Sequence, residues 1–224
     1  MFATDVWNLA SNRSSALFRF RTGRLQHLLA QCALFPYQFG AISIHFTGCV
    51  PMFYLLPKLR SICIPRHPGL TPAVAAAYAE AAEVCLARHH RPPLTRFSVR
   101  RQHTRRAGFV AWRKPSLAAQ RAFNNHSDAT RDAAYILALA AVEAELGLVA
   151  VARAETRSGA DYYVGPPGST DLESAYRLEV SRVDGQSTAA VYHRLGAKID
   201  QARAGHSNLP ALASVVAFWG SSLF

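Results

Sequence analysis

Two carboxylates in the second half of the chain carry the most chemical information. Asp161 lies in GADYYVG at 159–165 and Glu179 in YRLEVSR at 176–182, each beside a short apolar and aromatic run that reads as a strand. Two acids brought together at a sheet edge make an oxygen-rich site suited to magnesium, which takes oxygen ligands and keeps several waters. A metal ion held in this way activates water and polarises a phosphoryl oxygen, and so points to phosphodiester hydrolysis. Side chains alternate along a strand, so Glu179 and Ser181 share one face while Val180 and Arg182 take the other. Arg182 is therefore badly placed to serve as a base next to Glu179. Lys198, one of three lysines with Lys58 and Lys114, can reach the site from the following helix. Glu143, on the helix before the strands, is a third candidate metal ligand.

Each residue also has an ordinary structural reading. Asp161 follows Ser158-Gly159 and would begin a strand or cap a turn equally well. Glu179 would look the same as an outward-facing acid paired with Arg177 or Arg194. Glu143, Glu145 and Lys198 also suit solvated helix faces.

The elements that must position these residues are legible from Leu70 onward. Thr71-Pro72 is a helix start, an N-cap hydroxyl followed by proline at the first helical position, and the alanine-rich run continues to about His89. Arg91-Pro92-Pro93 stops it. Thr95–Arg100 and Gly108–Trp112 read as a hairpin, with RRQHTRR at 100–106 as its turn. A second helix is expected from about Asp128 to Leu146, capped by Ser127 or Asp128 and ended by Gly147. Strands follow at Leu148–Ala154, Ala160–Val164 and Tyr176–Val183, then a helix from Ser187 to about Ala204 and a buried strand over Leu212–Trp219. The fold class is α/β.

Helix, three strands, helix, strand over about 128–219, with Asp near the start of the second strand and Glu in the third, resembles the core of the PD-(D/E)XK nuclease superfamily. The resemblance covers about 90 of the 224 residues and implies a restriction-endonuclease-like αβββαβ core, here preceded by a helix and a β-hairpin. It implies that Asp161, Glu179 and a third-strand carbonyl bind Mg2+, and that a lysine two residues after the second acid orients or activates the attacking water. Ser181 occupies that lysine position. The family includes members whose lysine comes from a neighbouring element, which makes Lys198 the candidate. The alternative the resemblance implies is a catalytically inactive member, kept as a nucleic-acid-binding or protein-interaction module after loss of the lysine.

Charge supports a polyanionic partner. The chain carries +11 at neutral pH, which fits nucleic acid, DNA or RNA, or an anionic membrane surface. Arg100, Arg101, Arg105 and Arg106, followed by Arg113 and Lys114, form the expected phosphate-contact surface. Residues 1–67 differ from 68–224: they hold one acid, Asp5, against seven Arg or Lys, and 25–57 contain no charged residue. Such a run raises membrane association, which Pro36, Gly40, Gly48, Pro51 and Pro57 oppose by leaving no uninterrupted spanning helix. The simplest expectation is a basic, apolar, poorly structured extension at 1–67 joined to an α/β domain at 68–224. Cys32, Cys49, Cys63 and Cys85 contain no CxxC and support neither a disulfide framework nor a zinc site, which suggests a cytoplasmic protein. No HxxxH, GxGxxG, GxxxxGK[ST] or GxSxG pattern occurs, so metalloprotease, nucleotide-binding and serine-hydrolase chemistry have no sequence support.

Overall fold

The computed structural model describes residues 3–8, 42–43, 53–55, 66–101, 104–156, 158–184, 187–204 and 207–219. Three short strands come first: β1 (Ala3–Asn8), β2 (Ile42–Ser43) and β3 (Phe53–Leu55). Then follow α1 (Pro72–His89), β4 (Leu94–Arg101), β5 (Thr104–Ala111), α2 (Leu117–Ala122) and α3 (His126–Leu146). The chain continues through β6 (Val149–Arg153), β7 (Tyr162–Gly165), β8 (Tyr176–Val183), α4 (Thr188–Ala204) and β9 (Ala211–Ala217).

The helices begin and end where local chemistry directs. Thr71 accepts a hydrogen bond from the Val74 N–H at 3.3 Å, with Pro72 in the first turn. α3 starts earlier than Ser127 or Asp128 would place it, because Asn125 Oδ1 takes the N–H groups of both those residues at 3.1 and 3.3 Å. Gly147 closes α3 in the left-handed region at φ 67°, where a Cβ would be strained. Among the described residues one short helix, α2, has no counterpart in the sequence expectations; Ser116 caps it by accepting from Ala119 N–H at 3.0 Å.

All strands form one mixed sheet in the order β3-β5-β4-β2-β1-β9-β8-β7-β6. β6, β7 and β8 are antiparallel neighbours, whereas β8 and β9 run parallel, which the α4 crossover makes possible. One face carries α1 and α3 over a core that includes Leu86, Ile136, Leu139, Leu178 and Leu212. The other carries α4 over a smaller cluster of Val183, Val191, Leu195, Val215 and Ala217. The result is a three-layer α/β arrangement, the class expected when helices flank a sheet with parallel crossovers.

β1 lies inside this sheet. It pairs antiparallel with β9, from Ala3 opposite Ala217 to Asn8 opposite Leu212, and parallel with β4. A boundary at 67/68 therefore cuts across one sheet, and residues 3–8 do not fit a separate extension. His67 is likewise part of the body: it is fully buried, and Gly69 packs so closely that a Cβ there would meet Ala152 N at 2.7 Å. The run 25–57 lies outside the described residues apart from 42–43 and 53–55. No helix among the described residues is long and apolar enough to cross a membrane.

The β4–β5 hairpin is longer than expected. Its ladder runs from Leu94 opposite Ala111 to Arg101 opposite Thr104, so Arg100, Arg101, Arg105 and Arg106 lie on the strands and not in a turn.

Candidate functional site

β7 and β8 bring Asp161 and Glu179 to one cleft. The Asp161 N–H donates to Leu178 C=O at 2.8 Å, which sets the residue at the mouth of the β7–β8 pairing. Its carboxylate then continues the ladder in place of backbone, Oδ2 accepting from Val180 N–H at 2.8 Å. Oδ1 accepts from Tyr135 O–H of α3 at 2.8 Å. Glu179 sits one residue before Val180, on the opposite face of β8, buried under α4. A cleft of about 640 Å³ opens over both acids, with Arg153, Glu155, Gln201 and Ala204 among the residues around it.

Lys198 Nζ contacts Glu179 Oε1 directly and donates to Gln201 Oε1 at 2.9 Å. α4 crosses the sheet on the Glu179 face, and Lys198 points from it onto the strand. Ser181 shares that face and is buried, so the position two residues after Glu179 lies under the helix that delivers the ammonium. Burial first, and then the neighbouring Asp161 carboxylate, raise the Glu179 carboxyl above the usual carboxylate range, against the opposing pull of Lys198 and Gln201. The two acids thus interact electrostatically inside one cleft.

A second layer of residues, invisible to sequence reasoning, holds Asp161. Arg153 lies over the rings of Tyr135 and Tyr162, at 4.4 and 4.8 Å from their centroids. Its guanidinium donates to Tyr78 Oη at 2.9 Å, Tyr162 Oη at 3.0 Å and Tyr135 Oη at 3.1 Å. Burial, and then the Asp161 carboxylate, push the Tyr135 hydroxyl pKa up, so it remains a proton donor to Asp161 at neutral pH. The arginine polarises the hydroxyl that the carboxylate accepts.

Other sequence candidates lie elsewhere. Glu143 is two turns beyond Tyr135 on α3, about 12 Å along the helix axis. There it accepts from Arg66 Nη1 at 3.2 Å and from His67 Nε2 at 3.1 Å, while His67 Nδ1 accepts from Ala150 N–H at 3.0 Å. Burial lowers the His67 pKa and favours this neutral tautomer. Glu143 fastens the segment before α1 to the domain and does not join Asp161 and Glu179. Among the described residues no group of three or more His, Cys, Asp or Glu could hold a metal ion.

The basic hairpin divides across the sheet. Arg100 lies over the Tyr192 ring of α4 at 5.7 Å, while Arg106 reaches Glu145 of α3 at 3.8 Å on the other face. They do not form one patch, because they occupy positions of opposite parity. Arg101 and Arg105 are described only by backbone register, as partners of Thr104 and Arg100. Arg113 and Lys114 are exposed in the connection after β5. The chain matches no family model, no curated protein and no solved structure.

Proposed function

We propose that the chain acts on nucleic acid through a core of the PD-(D/E)XK type, hydrolysing phosphodiester bonds with magnesium. The single observation that carries this reading is the contact of Lys198 with Glu179, an acid that lines the same cleft as Asp161. The order α3, β6, β7, β8, α4, β9 adds to it, being the order of that core. The net charge of +11 favours a polyanionic substrate, DNA or RNA, and the cysteine spacing favours a cytoplasmic setting.

The donors suit magnesium. Two carboxylates share a cleft in which burial, and then Asp161, disfavour the charge on Glu179, and a cation would offset both. Asp161 and Glu179 would hold it, with water completing the set. When bound, the ion would supply Lewis acidity toward the phosphoryl group. Lys198, held by Glu179 and Gln201, both of which line the cleft, would orient the attacking water or offset phosphate charge. Tyr135 and the Val180 N–H fix the Asp161 carboxylate, so its remaining lone pairs point in a defined direction.

A second reading has one observation in its favour. Both Asp161 oxygens already accept hydrogen bonds within the protein, as they would in a non-catalytic nucleic-acid-binding module where the acid serves only the fold. Magnesium-dependent cleavage that disappears in Lys198→Ala decides between the two.

A further inference from the structure

We propose that the seam between α4 and the free end of β8 is a phosphate-contact cleft for a nucleic-acid strand, with Arg194 as its charged contact and His193 as a second donor. The inference rests on the reading of the Asp161–Glu179 cleft as a nucleic-acid site and assigns it a binding surface.

β7 is short and pairs with β8 only as far as Leu178. Beyond Val180 β8 stays paired with β9, but its opposite side has no strand beside it among the described residues, and Asp161 Oδ2 takes the first freed N–H. Along this end of β8 a second cleft of about 690 Å³ opens, bounded by Arg182 and Asp184 on the strand and by Ala190, His193, Arg194 and Ala197 on α4. It is separate from the cleft over the two acids but lies along the same helix.

Its charge balance is positive. Asp184, the one carboxylate lining it, is taken by Arg88 Nη1 at 3.2 Å and by His89 Nε2 at 2.5 Å. The hydrogen bond from His89 holds its carboxyl below the ordinary range. Arg182 borders the cleft from the strand, while its guanidinium donates to Ser127 Oγ of α3 at 3.0 Å. Arg194 and His193 are exposed, and no carboxylate among the described residues pairs with either. The alanines of the helix wall leave room for a backbone to approach.

Position completes the case. Arg194 and Lys198 are four residues apart on α4, so they project from one side of the helix about 6 Å apart along its axis. A strand whose phosphate meets Arg194 is therefore led, within one helical turn, to Lys198 and Glu179. The guanidinium offers the planar fork that matches phosphate oxygens.

The test measures binding of the full chain to short fluorescein-labelled DNA and RNA duplexes by anisotropy, in EDTA and across a salt series. Arg194→Ala should weaken binding and reduce the slope of log affinity against log salt by about one unit. Arg194→Glu should weaken it further. His193→Ala should lower affinity less than Arg194→Ala does. Arg203→Ala, exposed on the same helix but paired with Asp200, should change neither. Alanine at these exposed helical positions favours the helix, so loss of fold is not expected, and circular dichroism checks it. An unchanged slope in Arg194→Ala overturns this cleft while leaving the two-acid site standing. Failure of the unmodified chain to bind either duplex overturns both. Reduced binding in Arg194→Ala without any cleavage by the unmodified chain supports the cleft and removes the catalytic reading. Binding to phosphatidylserine vesicles in preference to either duplex, with the same dependence on Arg194, would reassign the cleft to a membrane surface and overturn the proposal.

Discussion

Replacing Asp161 by asparagine should destabilise the protein, although the pairing of two acids alone suggests the opposite. Seen only as like charges, Asp161 and Glu179 repel, and neutralising one would relieve the fold. The geometry reverses that expectation. The Asp161 carboxylate accepts from Val180 N–H with one oxygen and from Tyr135 O–H with the other, both at 2.8 Å. An asparagine has a single acceptor oxygen. If it keeps Val180, its NH2 faces a Tyr135 hydroxyl whose oxygen already accepts from Arg153. One charge-assisted hydrogen bond is lost, a contribution of about 1.5–3 kcal/mol. At this chain length each kcal/mol moves the melting temperature by about 2–4 °C, so a fall of roughly 3–12 °C follows before the relieved repulsion is subtracted. Thermal unfolding of Asp161→Asn, Tyr135→Phe and the double variant in metal-free buffer at neutral pH measures it. The two single effects should be non-additive, since both variants break the same contact. A melting temperature equal to or above that of the unmodified chain would refute the assignment of Asp161 as a doubly bonded acceptor.

Three further outcomes follow from the same contacts. Because the folded-state pKa of Glu179 is raised, the native state binds more protons than the unfolded chain at this group, so its favourable contribution is present below the unfolded pKa, about 4.3, and is lost as pH rises through the raised folded value; the stability of Glu179→Gln relative to the unmodified chain should therefore grow with pH in urea titrations, and parallel profiles would contradict it. Ser181→Lys, which restores the family's lysine position, should destabilise the protein and yield no new cleavage, because the Ser181 side chain is buried under α4 beside a Glu179 that Lys198 already serves; increased cleavage without loss of stability would show that the strand position is open. A chain beginning at Pro68 should lose stability by about 0.5–1.5 kcal/mol for each ladder bond removed, and should aggregate, since withdrawing β1 bares an apolar edge of β9; a soluble, monomeric, unchanged melting transition would show that β1 adds nothing.

What was legible in the sequence is what local chemistry determines. Thr71-Pro72 opens α1, Gly147 ends α3, and the alternation of YRLEVSRV sets β8 at Tyr176–Val183 with Glu179 and Ser181 on one face. The same alternation placed Arg182 on the far side, where it bonds to Ser127 of α3. The hairpin strands run further than the sequence predicts, because an arginine run looks like a turn while cross-strand pairing extends the ladder to Arg101 opposite Thr104. Residues 3–8 could not be assigned to the sheet because their partners on β9 lie at the other end of the chain, and nothing local records such a pairing. The tyrosine–arginine layer was hidden for the same reason: Tyr78, Tyr135, Arg153 and Tyr162 come from α1, α3, β6 and β7. Its only local trace is tyrosine interrupting alanine-rich helices, which also describes ordinary core packing.

Asp161, Glu179 and Lys198 are the residues of the proposed phosphodiesterase site. Incubating the purified full chain with end-labelled DNA and RNA, in magnesium and in EDTA, tests it most directly. Cleavage should require magnesium, vanish in Glu179→Gln, and fall by about 10²–10⁴-fold in Lys198→Ala, the range of a positioned proton-transfer or charge-stabilising group. Absence of cleavage of either substrate by the unmodified chain, or cleavage that persists at full rate in Lys198→Ala and Glu179→Gln, would contradict it.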